Sequence, residues 1–146
     1  MAKVNEKSVA EFLKKIRMTQ QKVETELGKS IAQCCATIQR EAQEGMRDTS
    51  VDFTKTYGTH GHHPSLPGNP PAVDTGTLRR SVTYSVDEKN LMGYVGSVIN
   101  DPPYGAYLEY GTSRMKPRPW LKPATEKSME TIKKIMAGAV KVGLYD

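Results

Sequence analysis

The sequence holds two cysteines, and they are adjacent, Cys34 and Cys35. Neighbouring residues on a helix point in different directions, so the two do not readily bridge each other. A disulfide framework is thereby excluded, and no further ligands at metal-site spacing lie nearby. The pair reads as reduced, small, partly buried side chains. Long apolar runs are also missing. No stretch approaches the roughly 20 residues that span a bilayer, so no contact with a membrane is expected. The opening MAKVNEKSVAEF lacks the apolar segment of a secretory signal, which points to a protein made and kept in a cytoplasm. Catalytic signatures are absent too: there is no GxSxG, HExxH, Walker loop or GxGxxG. Asp52, Asp74, Asp87 and Asp101 are scattered over turns, where aspartate commonly bonds its own backbone. No enzyme and no cofactor is expected.

What is present fits one domain. A chain of 146 residues can bury a single core, and at 37% hydrophobic part of it should lie outside that core. The net charge is +5, unevenly spread. Met1 to Arg47 carries nine basic and six acidic residues, Asp48 to Tyr110 four and seven, and Gly111 to Lys134 seven and two. The late basic excess suits nucleic acid or an acidic protein surface, or simply keeps the chain soluble.

From Glu6 to Met46 apolar residues recur in steps of three, four and seven: Val9, Phe12, Leu13, Ile16, Val23, Leu27, Ile31, Cys34, Cys35, Ile38, Ala42 and Met46. That stripe predicts a helix. Ser8 with Glu11 suggests a capping box, and Ser30 with Gln33 after Gly28 a second one, so one long helix or two shorter ones fit. A continuous helix would be about 60 Å long, and its stripe would need partners beyond its own chain. Asp48 to Pro71, rich in Gly, Pro and His, predicts a long mobile loop. Asp74-Thr-Gly marks a turn. Alternation predicts a strand from Arg80 to Val86 and another from Leu91 to Ile99, joined by the polar turn Asp87 to Asn90. That hairpin should pack on the first helix and on other strands, because a hairpin alone is marginal. After the break at Asn100 to Pro103, YGAYLEYGT predicts a short helix ended by Gly111. Pro117, Pro119 and Pro123 predict an extended arm, and Thr125 to about Val140 a final helix with Met129, Ile132, Ile135, Met136 and Val140 on one side.

His60, His62 and His63 invite a metal reading, since imidazole suits zinc, copper or nickel. Set among glycines and prolines without a cysteine nearby, they read instead as a solvated loop. The densest signal is Tyr104 to Ala124, where Tyr104, Tyr107, Tyr110 and Trp120 stand with Arg114, Lys116, Arg118 and Lys122. Aromatic and basic residues together serve core packing, a protein interface or stacking on single-stranded nucleic acid.

Within that stretch lie two blocks, aromatic-x-Ala-aromatic-hydrophobic-Glu-aromatic-Gly-Thr at Tyr104 to Thr112 and Arg-Pro-aromatic-hydrophobic-x-Pro-Ala at Arg118 to Ala124. Upstream, PGNPPAVDTGTLRRSV at Pro67 to Val82 supplies a Pro-rich loop and a Thr-Gly-x-Leu-Arg-x-Ser turn. In order and content these blocks resemble the small tail-component family of long-tailed double-stranded DNA bacteriophages. The likeness runs from Pro67 onward; the first helix matches in pattern, and the His-rich stretch does not belong to it. The resemblance implies an α+β fold: a long N-terminal helix, a small antiparallel sheet with a hairpin, and a C-terminal helix. It implies a head–tail joining or tail-completion protein of the virion, assembled in the bacterial host cytoplasm. The implied partners are its own copies in a ring, hexameric when assembled, and the phage connector and tail proteins, with genomic DNA passing through. The implied assembly residues are Tyr107, Glu109, Tyr110, Gly111, Thr112, Arg118, Pro119 and Trp120, with Thr75, Gly76, Leu78 and Arg79 in the upstream turn. On this reading Arg118, between two prolines, is displayed towards a neighbour's carboxylate, and Trp120 anchors the arm. A tail terminator ring protein and a basic nucleic-acid-binding module are the alternatives.

Overall fold

The computed structural model describes residues 6–59, 61–99 and 103–145, with Tyr145 described by its backbone alone. Four helices and two strands follow in the order α1 (Glu6–Arg47), α2 (Thr77–Ser81), β1 (Val82–Asp87), β2 (Met92–Ser97), α3 (Tyr104–Tyr110) and α4 (Leu121–Tyr145). The architecture is α+β, a long N-terminal helix and a C-terminal helix with an antiparallel hairpin.

The 42 residues of α1 form one unbroken helix, about 63 Å long at 1.5 Å per residue. Gly28 does not interrupt it. Both candidate capping boxes are corrected: Ser8 with Glu11 and Ser30 with Gln33 lie inside the helix, so neither serine stands at a helix start. The stripe has two fates. Cys34, Cys35, Ala42 and Met46 are buried, and Val23, Leu27, Ile31 and Ile38 are half-buried. Val9, Phe12, Leu13 and Ile16 are exposed. Burial raises the pKa of both thiols, which keeps them protonated and unreactive.

Helix α4 explains the division. It runs antiparallel to α1: Lys127 Nζ sits 2.6 Å from Glu41 Oε2 near one end, and Gly143 meets Val23 near the other. The groove around Leu144 is lined by Lys15, Ile16, Thr19 and Val23. Beyond it about ten residues of α1, some 15 Å, have no helix beside them among the described residues. The buried positions of α4 are small, Ala124, Ser128, Ala139 and Gly143. A Cβ on Gly143 would stand 2.9 Å from Val23 Cα, so the two helices are closely packed. Met129 and Val140, expected on the buried side, are exposed, while Ile132, Ile135 and Met136 are half-buried.

Several boundaries differ from expectation: β2 is Met92–Ser97, shorter than Leu91 to Ile99, and α4 runs past Val140 to Tyr145. Arg80 and Ser81 belong to α2, not to the first strand: Gly76 at φ 75° turns the chain, and its carbonyl accepts from Arg80 N–H. Helix α4 starts at Leu121, four residues earlier than expected, and takes in Pro123. A proline is tolerated in the first turn because its missing N–H would have no intrahelical partner there.

The hairpin pairs Val82 with Ser97 through Asp87 with Met92. Asp87 closes its turn by accepting from the backbone and side-chain N–H groups of Asn90. One face, carrying Val82 and Val95, lies on α1, where Gln39 and Gln43 donate to the Val82 carbonyl. The expected further strands are not there: the sheet has two strands among the described residues. Burial of one face against α1 replaces them as the source of stability. The contact is tightest at Gly93, where an added Cβ would overlap Cys35 Sγ and come within 2.9 Å of Ile31 Cγ2. Gly93→Ala is expected to destabilise the fold by about 1–3 kcal/mol, through overpacking. Unchanged melting of that variant would show that the hairpin moves freely on α1.

Candidate functional site

The core sits under the Tyr104–Ala124 segment, where Ala42, Met46, Leu78, Val82, Leu108, Trp120 and Ala124 cluster. Helix α3 faces it with Gly105 and Leu108, both buried. Tyr104, Tyr107 and Tyr110 recur every three residues and point outward; Tyr110 is 82% exposed. The same seven residues thus hold the fold on one side and offer three aromatic rings on the other.

Glu109 is half-buried, with its carboxylate turned onto the backbone of its own chain. Its Oε2 accepts from the backbone N–H groups of Trp120 at 2.7 Å and Leu121 at 2.9 Å, and its Oε1 from Lys122 at 3.0 Å. The first N–H groups of a helix have no intrahelical partner, and a carboxylate is favoured at that end. Glu109 therefore caps α4 from α3, across the intervening loop. This role could have been sought in the sequence: a lone acid precedes a loop that leads into a helix without a Ser, Thr, Asp or Asn at its start.

Gly111 ends α3 at φ 77°, donating to the Tyr107 carbonyl. A Cβ there would stand 2.8 Å from the Met115 carbonyl oxygen and 3.0 Å from the Pro117 nitrogen, so shape and backbone both require glycine. Thr112 closes the next turn by exchanging backbone bonds with Met115, and its hydroxyl accepts from Arg114 N–H. From Lys116 to Pro119 the chain is extended, and Pro119 is half-buried.

Two side chains depart from the displayed-arm expectation. Arg118 is half-buried: its backbone N–H donates to the Leu108 carbonyl, and its Nε donates to the Ser65 carbonyl at 3.1 Å. The arm is stitched to α3 and to the loop instead of standing free. Trp120 is 4% exposed, and its Nε1 donates to the Gly105 carbonyl at 2.9 Å. It is a core residue, because the turn at Gly111 folds the arm back over α3.

The upstream turn feeds the same core. Thr75 and Thr77 share a hydroxyl–hydroxyl bond of 2.7 Å, Leu78 is buried, and the Arg79 carbonyl accepts from Gln43. Thr75, Gly76, Leu78 and Arg79 line a cavity of about 330 Å³ together with Tyr104 and Leu108. The structure thus brings the three sequence blocks together around Leu78, Leu108 and Trp120.

The loop from Asp48 to Pro71 doubles back on itself. Val51 pairs with Ser65, Tyr57 with His62, and Asp52 N–H donates to the Pro64 carbonyl at 2.7 Å. Ser65 is fully buried at the base, while Phe53 and Tyr57 are exposed at the tip. Hydrogen exchange is expected to divide the loop, with the amides of Asp52, Leu66 and Gly68 slower than those at the tip. Uniformly fast exchange across the loop would mean that the pairing does not hold it.

His60, Asp101 and most of the break at Asn100 to Pro103 lie outside the described residues. His63 Nδ1 bonds the Lys55 carbonyl at 2.9 Å, and its ring lies 5.2 Å from that of Phe53. His62 is half-buried in the cleft wall. Among the described residues no three His, Cys, Asp or Glu side chains converge as metal ligands, and no helix is long and apolar enough to cross a membrane.

Comparison with known families gives one match, over residues 7–111, to the family described as "Bacteriophage HK97-gp10, putative tail-component". Neither the comparison with curated proteins nor that with solved structures gives a match. The matched region takes in α1 and the His-rich loop, which the motif likeness had left aside, and stops at Gly111, before the Arg118 to Ala124 block. More than half of the sequence is covered, so the chain belongs to the HK97-gp10-like family of bacteriophage tail components.

Proposed function

We propose that this chain joins head to tail, or completes the tail, by assembling as a ring of its own copies between the capsid connector and the tail. It works by assembly, without a cofactor and without catalysing a reaction, and it is located in the virion after synthesis in the host cytoplasm. A hexamer is the ring we infer, with genomic DNA passing through it.

The observation that carries this reading is the free end of α1. Val9, Phe12 and Leu13 form an apolar stripe on a stretch of helix with no helix beside it among the described residues, and Phe12 is 62% exposed. Apolar surface of that extent marks an interaction site. It lies on one end of an elongated molecule, so a copy that covers it uses a different face, and such head-to-tail contacts close into rings when the rotation permits. The outward rings of Tyr107 and Tyr110 suit an interface as well.

The test is the double substitution Phe12→Asp and Leu13→Asp. Both side chains are exposed, so stability should hold to within about 0.5 kcal/mol. Each buried apolar side chain supplies about 1.5–3 kcal/mol at a contact, so the yield of joined, infectious particles should fall by about tenfold or more. Normal yield from a normally folded variant would contradict the proposal.

A further inference from the structure

Between the loop and the arm lies a cleft of about 610 Å³. Lys55, His62, Arg114, Lys116 and Arg118 line it, and among the described residues no Asp or Glu does. The cations come from two segments far apart in sequence, so their convergence is a product of the fold. Two acids on the segments that line it or adjoin it are already engaged: Asp52 Oδ2 lies 3.5 Å from Lys55 Nζ, and Glu109 caps α4. Among the described residues Arg114 and Lys116 have no ion-pair partner, and Arg118 uses its Nε on Ser65 while its two terminal nitrogens bond nothing. Ser65 adds a second, independent sign. It is 1% exposed in the wall of the cleft, and its hydroxyl lacks a hydrogen-bond partner. Native proteins rarely leave such a group unmatched.

We propose that this cleft binds an acidic, extended segment of another protein. Two or more carboxylates could take the open guanidinium and ammonium groups in charge-assisted bonds, with arginine able to grip a carboxylate through both terminal nitrogens. The remaining walls, Pro64, Pro67 and Tyr57 among them, offer the flat, apolar contacts that an extended peptide uses between its charged side chains. Duplex DNA fits less well. Its phosphates run along a convex ridge and are met by broad basic faces, whereas these cations sit within a concavity the size of a few side chains. The inference is independent of the ring, because it concerns a surface away from the free end of α1.

The experiment uses the full chain, a fluorescein-labelled polyglutamate peptide, and single- and double-stranded oligonucleotides of matched charge, with binding read by anisotropy. Two variants carry the same change in net charge: Arg114→Glu with Lys116→Glu in the cleft, and Lys133→Glu with Lys134→Glu further along α4. All four side chains are exposed, and melting confirms that each variant folds. Peptide binding is expected to weaken about tenfold in the cleft variant and to change little in the α4 variant, since contacts at a specific site outweigh net charge. Equal losses in both variants, no binding of the peptide, or tighter binding of either oligonucleotide would overturn the proposal.

Discussion

Trp120→Ala is expected to lower the stability of the isolated subunit by about 3–5 kcal/mol, the usual cost of emptying a buried aromatic site. The indole is 4% exposed and packs in the cluster with Met46, Leu78, Val82 and Leu108. Its N–H is matched by the Gly105 carbonyl, so truncation leaves a buried acceptor without its donor as well as a cavity. An added Cβ on Gly105 would stand 3.3 Å from the indole, so the neighbouring helix cannot close on the gap without shifting. Chemical denaturation of the purified subunit measures this directly. A variant that melted normally but failed to join particles would instead return Trp120 to the interface role that its composition first suggests.

Glu109→Ala is expected to cost about 2–4 kcal/mol. A helix cap contributes about 1 kcal/mol, and hydrogen bonds to a charged group about 1.5–3 kcal/mol each, with three bonds to one carboxylate adding less than their sum. The damage should be local first, with the opening turn of α4 losing amide protection before the hairpin does. Glu109→Gln keeps an acceptor but not the charge, and should recover part of the loss. Equal stability of wild type and Glu109→Ala would mean that water replaces the carboxylate at no cost, and the cap would carry no stability.

Both residues show where the sequence is legible and where it is not. Periodicity predicts α1 and the hairpin, because 3.6- and 2-residue repeats report which face is apolar. Gly111 was legible as the end of α3 for the same local reason: a left-handed residue is a property of one position. The start of α4 was not, because three prolines read as an extended arm, while Pro123 is harmless in a first helical turn whose amides are met by Glu109. That bond joins residues 13 apart, and no periodic pattern encodes it. Trp120 and Arg118 were misplaced by the same omission. The turn at Gly111 reverses the chain, which puts the arm against α3 and the Ser65 carbonyl. The buried side of α4 was read from its large residues, yet close packing on α1 selects the small ones, Ala124, Ser128, Ala139 and Gly143.

A ring of several copies at the junction of head and tail is open to measurement by cross-linking of purified virions, followed by mass measurement of the species that contain this chain. A ladder that ends at a closed oligomer, six copies by the present inference, with links between the free end of α1 and a different face of the next copy, is the expected result. A single copy per particle, or absence of the chain from the virion, would contradict it.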